Sequence, residues 1–179
     1  IGQAARNVNN GQAVMTISHS YSSPGAYGLV VDLRDGNTVL ADSSAIITIG
    51  QVEEREFDLT ICDTWSATQE GGQGVTSDLW NIGDIPEGAA FDFEYDAQDV
   101  PDRFEIEYPL GNQVVDTGWR GSASDFNENP DLYPGGLSGT GEGLMQGIFV
   151  RRASEQFRVV VIGPEEGTAW DYRVRCRLP

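Results

Sequence analysis

Four carboxylates stand within nine residues in the stretch EYDAQDVPDR: Glu94, Asp96, Asp99 and Asp102. Hard oxygen donors crowded around a proline-containing turn suit calcium, which is bound by several carboxylate and carbonyl oxygens at once. Asp116 joins this set if its Asp-Thr-Gly turn packs alongside. A second oxygen-rich stretch, DFNENPD, offers Asp125, Asn127, Asn129 and Asp131. Its spacing imitates the start of an EF-hand loop. However, Pro130 stands where glycine is needed and Gly136 where the bidentate glutamate belongs, which leaves only a non-EF calcium loop. The bland reading of both stretches is that Asp and Asn favour turns.

Other chemistries find little support. Lysine is absent and all 11 basic residues are arginine, which removes Schiff-base lysines, phosphate-loop lysines and serine–lysine dyads. His19 is the sole histidine, so any Ser-His-Asp site would have to use it. The run GGLSGTGEG lacks the spacing of a nucleophile elbow. Acidic residues are plentiful, but nothing pairs two of them for glycoside hydrolysis. The chain therefore reads as a non-enzyme. Its formal net charge of −17 argues against nucleic acid, whose phosphates need clustered cations, and predicts solubility and self-repulsion. Sugar binding would need exposed aromatics. Trp65, Trp80, Trp119 and Trp170 are the candidates; Trp170 alternates inward, and Trp80 and Trp119, both near turns, form the candidate glycan platform.

Cys62 and Cys176 lie 114 residues apart and match no zinc spacing. A disulfide is the favoured reading, tying the first strand of the main domain to its last. In the chain-entropy model a loop of that length stabilises by about 4 kcal/mol.

The elements that must position these residues are strands. Short apolar–polar alternations punctuated by Gly, Pro, Asn and Asp run through the chain, which is an all-β pattern, and no amphipathic helix stands out. AYGLVVDLRD and TVLADSSAIITIGQV flank a hairpin turn at DGN. EERE (53–56) forms a polar seam and the expected boundary, dividing the chain into 1–52 and 53–179. FDLTICDTW opens the second region as a strand, with Cys62 on the wrong face unless a bulge intervenes or the strand is buried on both faces. AFDFEYD puts Phe91, Phe93 and Tyr95 on one face and Asp92, Glu94 and Asp96 on the other. RFEIEY repeats the pattern with Phe104, Ile106 and Tyr108. Residues 120–143 read as a long loop, and QFRVVVIG as a central strand. In WDYRVRCRL, Trp170, Tyr172, Val174, Cys176 and Leu178 share one face, while Asp171, Arg173, Arg175 and Arg177 share the other. Three arginines in a row need anions, and the two acidic rows could supply them across a sheet at about 0.2–1 kcal/mol per pair. No apolar run approaches a membrane span. No secretory signal stands at Ile1, so any leader is expected upstream or already removed.

With the residues laid out, SHSYSSPGAYGLVVDLRDGN resembles the PKD family, an immunoglobulin-like extracellular module. His19, Tyr21, Pro24, Gly25, Tyr27 and Asp35 carry the resemblance. It covers about a quarter of the chain, and the family's WDFGDG-type segment and earlier strands are missing. From YDAQDVPDRFEIEY through VVDTGWRGS to GTAWDYRVRC, the chain is similar to β-sandwich modules of secreted bacterial proteins, which often occur near calcium-dependent adhesion or glycan-binding domains. These resemblances imply an extracellular or cell-surface protein. The fold they imply is an immunoglobulin-like partial sandwich followed by a jelly-roll-like antiparallel β-sandwich.

The missing half of the first module is the functional clue. Three or four strands make a sheet but leave an apolar face uncovered (Val14, Ile17, Leu29, Val31, Ile47, Ile49), and native proteins cover such faces and edges. The second domain could cover it, the missing strands could lie outside this sequence, or another copy could supply them. Strand addition between chains completes sheets, and a head-to-tail contact that does not close makes filaments. The expectation is a secreted structural or adhesive subunit that self-associates into a homopolymer. Residues 1–17, with Val8, Val14 and Ile17 facing the neighbour, form its assembly strand, and calcium stabilises it. The alternative is a calcium-dependent carbohydrate-binding module of a secreted enzyme or adhesin.

Overall fold

The computed structural model describes residues 25–35, 38–49 and 52–179. Strands β1 (Gly25–Asp35) and β2 (Thr38–Ile49) form an antiparallel ribbon. Their register sets Tyr27 opposite Ile47, Leu29 opposite Ala45 and Asp35 opposite Thr38, with an irregularity between Leu33 and Arg34. The hairpin is therefore the one expected from the sequence, with one strand, Thr38–Ile49, after the turn.

Alternation sets the two sheets that follow. The strands are β3 (Val52–Glu56), β4 (Gln69–Gly71), β5 (Gly74–Asn81), β6 (Ala90–Asp96), β7 (Asp102–Glu107), β8 (Gln113–Arg120), β9 (Leu137–Gly139), β10 (Glu142–Val150), β11 (Gln156–Gly163) and β12 (Trp170–Arg177). One sheet runs β10-β6-β12-β4 and the other β3-β5-β11-β7-β8-β9. Most pairings are antiparallel; β3–β5 and β8–β9 are parallel. The fold is an all-β sandwich. Every second residue of β6, β7, β11 and β12 turns inward, and Phe91, Phe93, Phe104, Ile106, Phe157, Val161, Tyr172 and Val174 are fully buried. Rings from the two sheets meet at 4.9 Å (Tyr95–Phe104) and 5.6 Å (Phe91–Phe157). Burying each such side chain is worth about 1.5–3 kcal/mol, so this aromatic layer is the main cohesive force between the sheets. QFRVVVIG is central, as expected, lying between β5 and β7.

Three expectations change. FDLTICDTW is not a strand. Asp58 caps a 3-10 turn over Leu59–Ile61, its carboxylate accepting from the Thr60 N–H at 2.8 Å. Cys62 reaches the core through that turn, and no bulge is needed. Its disulfide to Cys176 therefore staples the turn, not a first strand, to β12. EERE forms a strand. It lies in β3, the parallel edge strand of the six-stranded sheet, where Arg55 reaches across to Asp78 of β5 at 3.1 Å. Residues 120–143 contain a six-residue helix α1 (Ala123–Glu128), a 3-10 turn (Pro130–Leu132), β9 and the start of β10. Ser122 caps α1 by accepting from the Asp125 N–H at 3.1 Å, and Pro130 occupies the first turn of the 3-10 segment, positions where those residue types stabilise helical starts.

Candidate functional site

The outer face of the four-stranded sheet carries a dense charge pattern. The registers Glu142↔Asp96, Asp96↔Asp171 and Asp171↔Glu70 line up one acidic residue from each of β10, β6, β12 and β4. These residues, with Thr68, Leu144 and Arg173, line an open groove of about 650 Å³. Like charges directly opposite across strands repel. The Asp171 carboxyl is accordingly raised above its ordinary range, first by burial and then by Asp96 and Glu70, against the pull of Arg173.

One row further along, the sign changes. Arg173 ion-pairs with Glu94, its cross-strand partner. Asp92 is buried, and both Arg175 (Nη2, 2.7 Å) and Arg177 (Nε, 2.9 Å) donate to it. The Gly147 N–H also donates to Asp92, at 2.9 Å. Gly147 sits at φ +63° in the bulge of β10, a conformation glycine adopts without a Cβ penalty. Burial alone would raise the Asp92 carboxyl, but Arg177, the Gly147 N–H and Arg175 outweigh it and hold it below the usual range. The half-buried Trp65 lays its ring against the Arg173 and Arg175 guanidiniums, 5.0 and 4.6 Å from its centroid. The arginine row is thus neutralised by β6, as the alternation predicts. RFEIEY lies in the other sheet, where Arg103 bonds Glu105 and Arg158 bonds Glu107.

The first proposed calcium set is divided between the sheets. Glu94 and Asp96 are on the outer face of β6. The Asp96 carboxylate accepts from the Gln98 N–H at 2.7 Å, and the Asp99 carbonyl accepts from the Ser122 N–H at 2.7 Å. Asp102 points into the sandwich, and Asp116 is clamped by Arg103 on the outer face of the other sheet at 2.7 and 2.9 Å. The second set fares no better as a cage. Asp125 bonds Ser122 and Ser124, Asn129 donates to Glu165 at 2.7 Å, and Asn127 and Asp131 are exposed. The helical winding of α1 and the 3-10 turn sends these side chains around an axis instead of toward one point. Among the described residues no three such side chains converge to hold a metal ion. The glycan platform is corrected outright. Trp80 is buried, stacked 6.0 Å from Phe157, and donates to the Tyr172 hydroxyl at 3.2 Å. Trp119 is buried against Tyr133 and donates to the Pro134 carbonyl at 3.1 Å. Neither ring offers a face to a sugar. Val8, Val14, Ile17 and His19 lie outside the described residues.

Two buried acidic residues have inward parity that sequence reasoning did not use: it offers Asp102 only as a calcium ligand and does not single out Asp78. Asp102 continues the inward series Phe104, Ile106, Tyr108, and Asp78 shares the inward parity of Trp80. Asp78 accepts from the Tyr172 hydroxyl and from Arg55. Among the described residues Asp102 is bonded only by the Thr168 hydroxyl, 2.7 and 2.8 Å from its two oxygens, and burial pushes its carboxyl up to about 7 against that bond.

No protein-family model matches this chain, and no curated protein is significantly similar to it. Among the described residues no helix is long and apolar enough to cross a membrane.

Proposed function

We propose that this chain is a non-enzymatic extracellular subunit that joins further copies of itself by strand complementation. The observation that supports this reading is the β1–β2 ribbon. Its strands of 11 and 12 residues pair, among the described residues, only with each other. A two-stranded ribbon is marginal in water without a third strand, and its outer edges invite pairing.

The body of the molecule guards its own edges. β3 is exposed and charged (Glu53, Glu54, Arg55, Glu56), β4 and β9 are three residues long, and β10 is bulged. Short, charged and bulged edges discourage further pairing. Growth in this reading therefore runs through the ribbon, with residues 1–17 supplying the intermolecular strand and calcium acting as a counterion to the acidic rows. The disulfide suits an oxidising compartment. Carbohydrate binding, the other reading, loses the two tryptophans on which it rested.

The test is negative-stain microscopy and light scattering of the full chain beside a variant lacking residues 1–11. Filaments from the full chain and a folded monomer from the deletion are the expected result. Filaments that persist in the deleted protein, or a full chain that stays monomeric at high concentration, overturn strand donation.

A further inference from the structure

Cys62 and Cys176 are the only cysteines in the chain, and their bridge joins the two ends of the sandwich's own sequence. Cys62 follows β3 and the 3-10 turn, ahead of every other strand of the two sheets, and Cys176 is the last residue but one of β12. Tension that enters through the β1–β2 ribbon and leaves beyond Cys176 therefore has two routes. One follows the chain for 114 residues through both sheets, and the other crosses a single covalent bond. The covalent route is the shorter, so it becomes taut first, and strands β4–β11 are bypassed. The chain just inside the bridge is fastened to β12 as well. The Asp63 N–H donates to the Cys176 carbonyl at 2.7 Å, the Ser66 N–H to the Val174 carbonyl at 2.8 Å, and the Val174 N–H to the Ser66 hydroxyl at 3.0 Å.

Upstream of the bridge, β3 is the one sandwich strand left in the path. It grips the body through its parallel ladder to β5 and through Arg55, which reaches the buried Asp78 at 3.1 Å. Phe57 adds a third hold. Its N–H donates to the Asn81 carbonyl at 2.9 Å, and its ring lies 5.8 Å from Trp80 and 5.6 Å from Phe91. β3 is already extended. Slack is confined to residues 57–62, where the 3-10 turn rises about 2 Å per residue against about 3.3 Å in a strand. Pulling β3 free thus lengthens the path by less than about 20 Å. Downstream, Arg177 is the one residue of β12 past the bridge, and it donates to Asp92 at 2.9 Å.

We propose that the Cys62–Cys176 bridge is a tension shunt: pull along the chain passes from the 3-10 turn to the end of β12 through sulfur, the sandwich stays folded, and β3 is the strand that yields. Forced unfolding is governed by the rate at which the loaded structure opens, so a sandwich outside the path keeps its unloaded lifetime. Reduction of the bridge puts β4–β12 back under load and frees about 375–410 Å of chain. The proposed assembly supplies only the source of the tension; the path follows from connectivity.

Optical tweezers combined with fluorescence test this on single molecules of the full chain. Handles go at the exposed Val52 and Pro179, and an energy-transfer dye pair at the exposed Gln113 and Glu166, which register places at opposite ends of the six-stranded sheet. All four are joined without thiol chemistry, so the bridge stays intact. The oxidised chain should lengthen by less than about 20 Å while energy transfer between the dyes holds steady. With reductant, the same tension should release about 375–410 Å and abolish the transfer. Transfer lost from the oxidised chain at that tension means that the sandwich breaks in spite of the bridge, and overturns the shunt. Equal extension with and without reductant means that the bridge carries no load, and overturns it too. Because single chains are pulled, failure here and failure to form filaments are separate results.

Discussion

Asp92 and Asp102 are both fully buried, yet their surroundings drive them in opposite directions. Two guanidiniums and a backbone N–H surround Asp92, so its charge is retained inside the fold. Its carboxyl lies below the ordinary range, so it contributes stability above that range and loses it as pH falls through the folded-state value. Asp92→Asn leaves two guanidiniums with half a partner. Breaking a buried pair costs about 3–5 kcal/mol, and because Arg177 is 44% exposed a loss of about 2–3 kcal/mol is expected here. Urea denaturation at pH 7 should show that loss, and the same experiment at pH 3 should show the two proteins drawing together. An equal loss at both pH values would mean that Asp92 acts through packing alone.

At the scale of the element, the inward faces of β6, β7, β11 and β12 were legible because a period of two sustained over six or more residues marks a strand with one buried face. β3, β4 and β9 were not legible. Glu53–Glu56 show no alternation, and Gln69–Gly71 and Leu137–Gly139 are too short to have a period. The carboxylate row was hidden for the same reason: Glu70 and Glu142 sit in glycine-rich segments that read as loops. Only register brings them to Asp171 and Asp96. The acidic residues offered as one calcium set are split between the sheets because nearness in sequence is not convergence in space: alternate residues of a strand point to opposite faces. The row has a measurable consequence. The Asp171 carboxyl is raised, so its contribution to stability falls as pH rises out of the acid range. Asp171→Asn should therefore stabilise the protein at pH 7 and low salt, by about 0.5–1 kcal/mol, and do nothing at pH 3. Thermal melts at the two pH values check this, and a destabilised variant at pH 7 would show that Asp171 is held by attraction instead.

For the molecule as a whole, a net charge of −17 without one lysine sets the dependence on salt. The paired arginines of β12 neutralise Asp92 and Glu94, but the acidic groove and the charged β3 edge keep their repulsion. Screening falls from about 30 Å at 0.01 M to about 3 Å at 1 M salt. Raising sodium chloride across that interval should lift the melting temperature by on the order of 5 °C, given that about 1 kcal/mol moves a domain of this size by 2–4 °C. Calcium chloride at matched ionic strength should lift it further, because a divalent counterion condenses more strongly on a row of four carboxylates, and chelator should return it to the sodium value. Coincident melts in the two salts would remove calcium from the proposed function while leaving the self-repulsion intact. A melting temperature indifferent to both would mean that the excess charge is already balanced within the fold. The same screening bears on assembly: copies carrying this charge repel at long range, so strand complementation at the ribbon should be faster in high salt, where only the short-range backbone pairing remains to be felt.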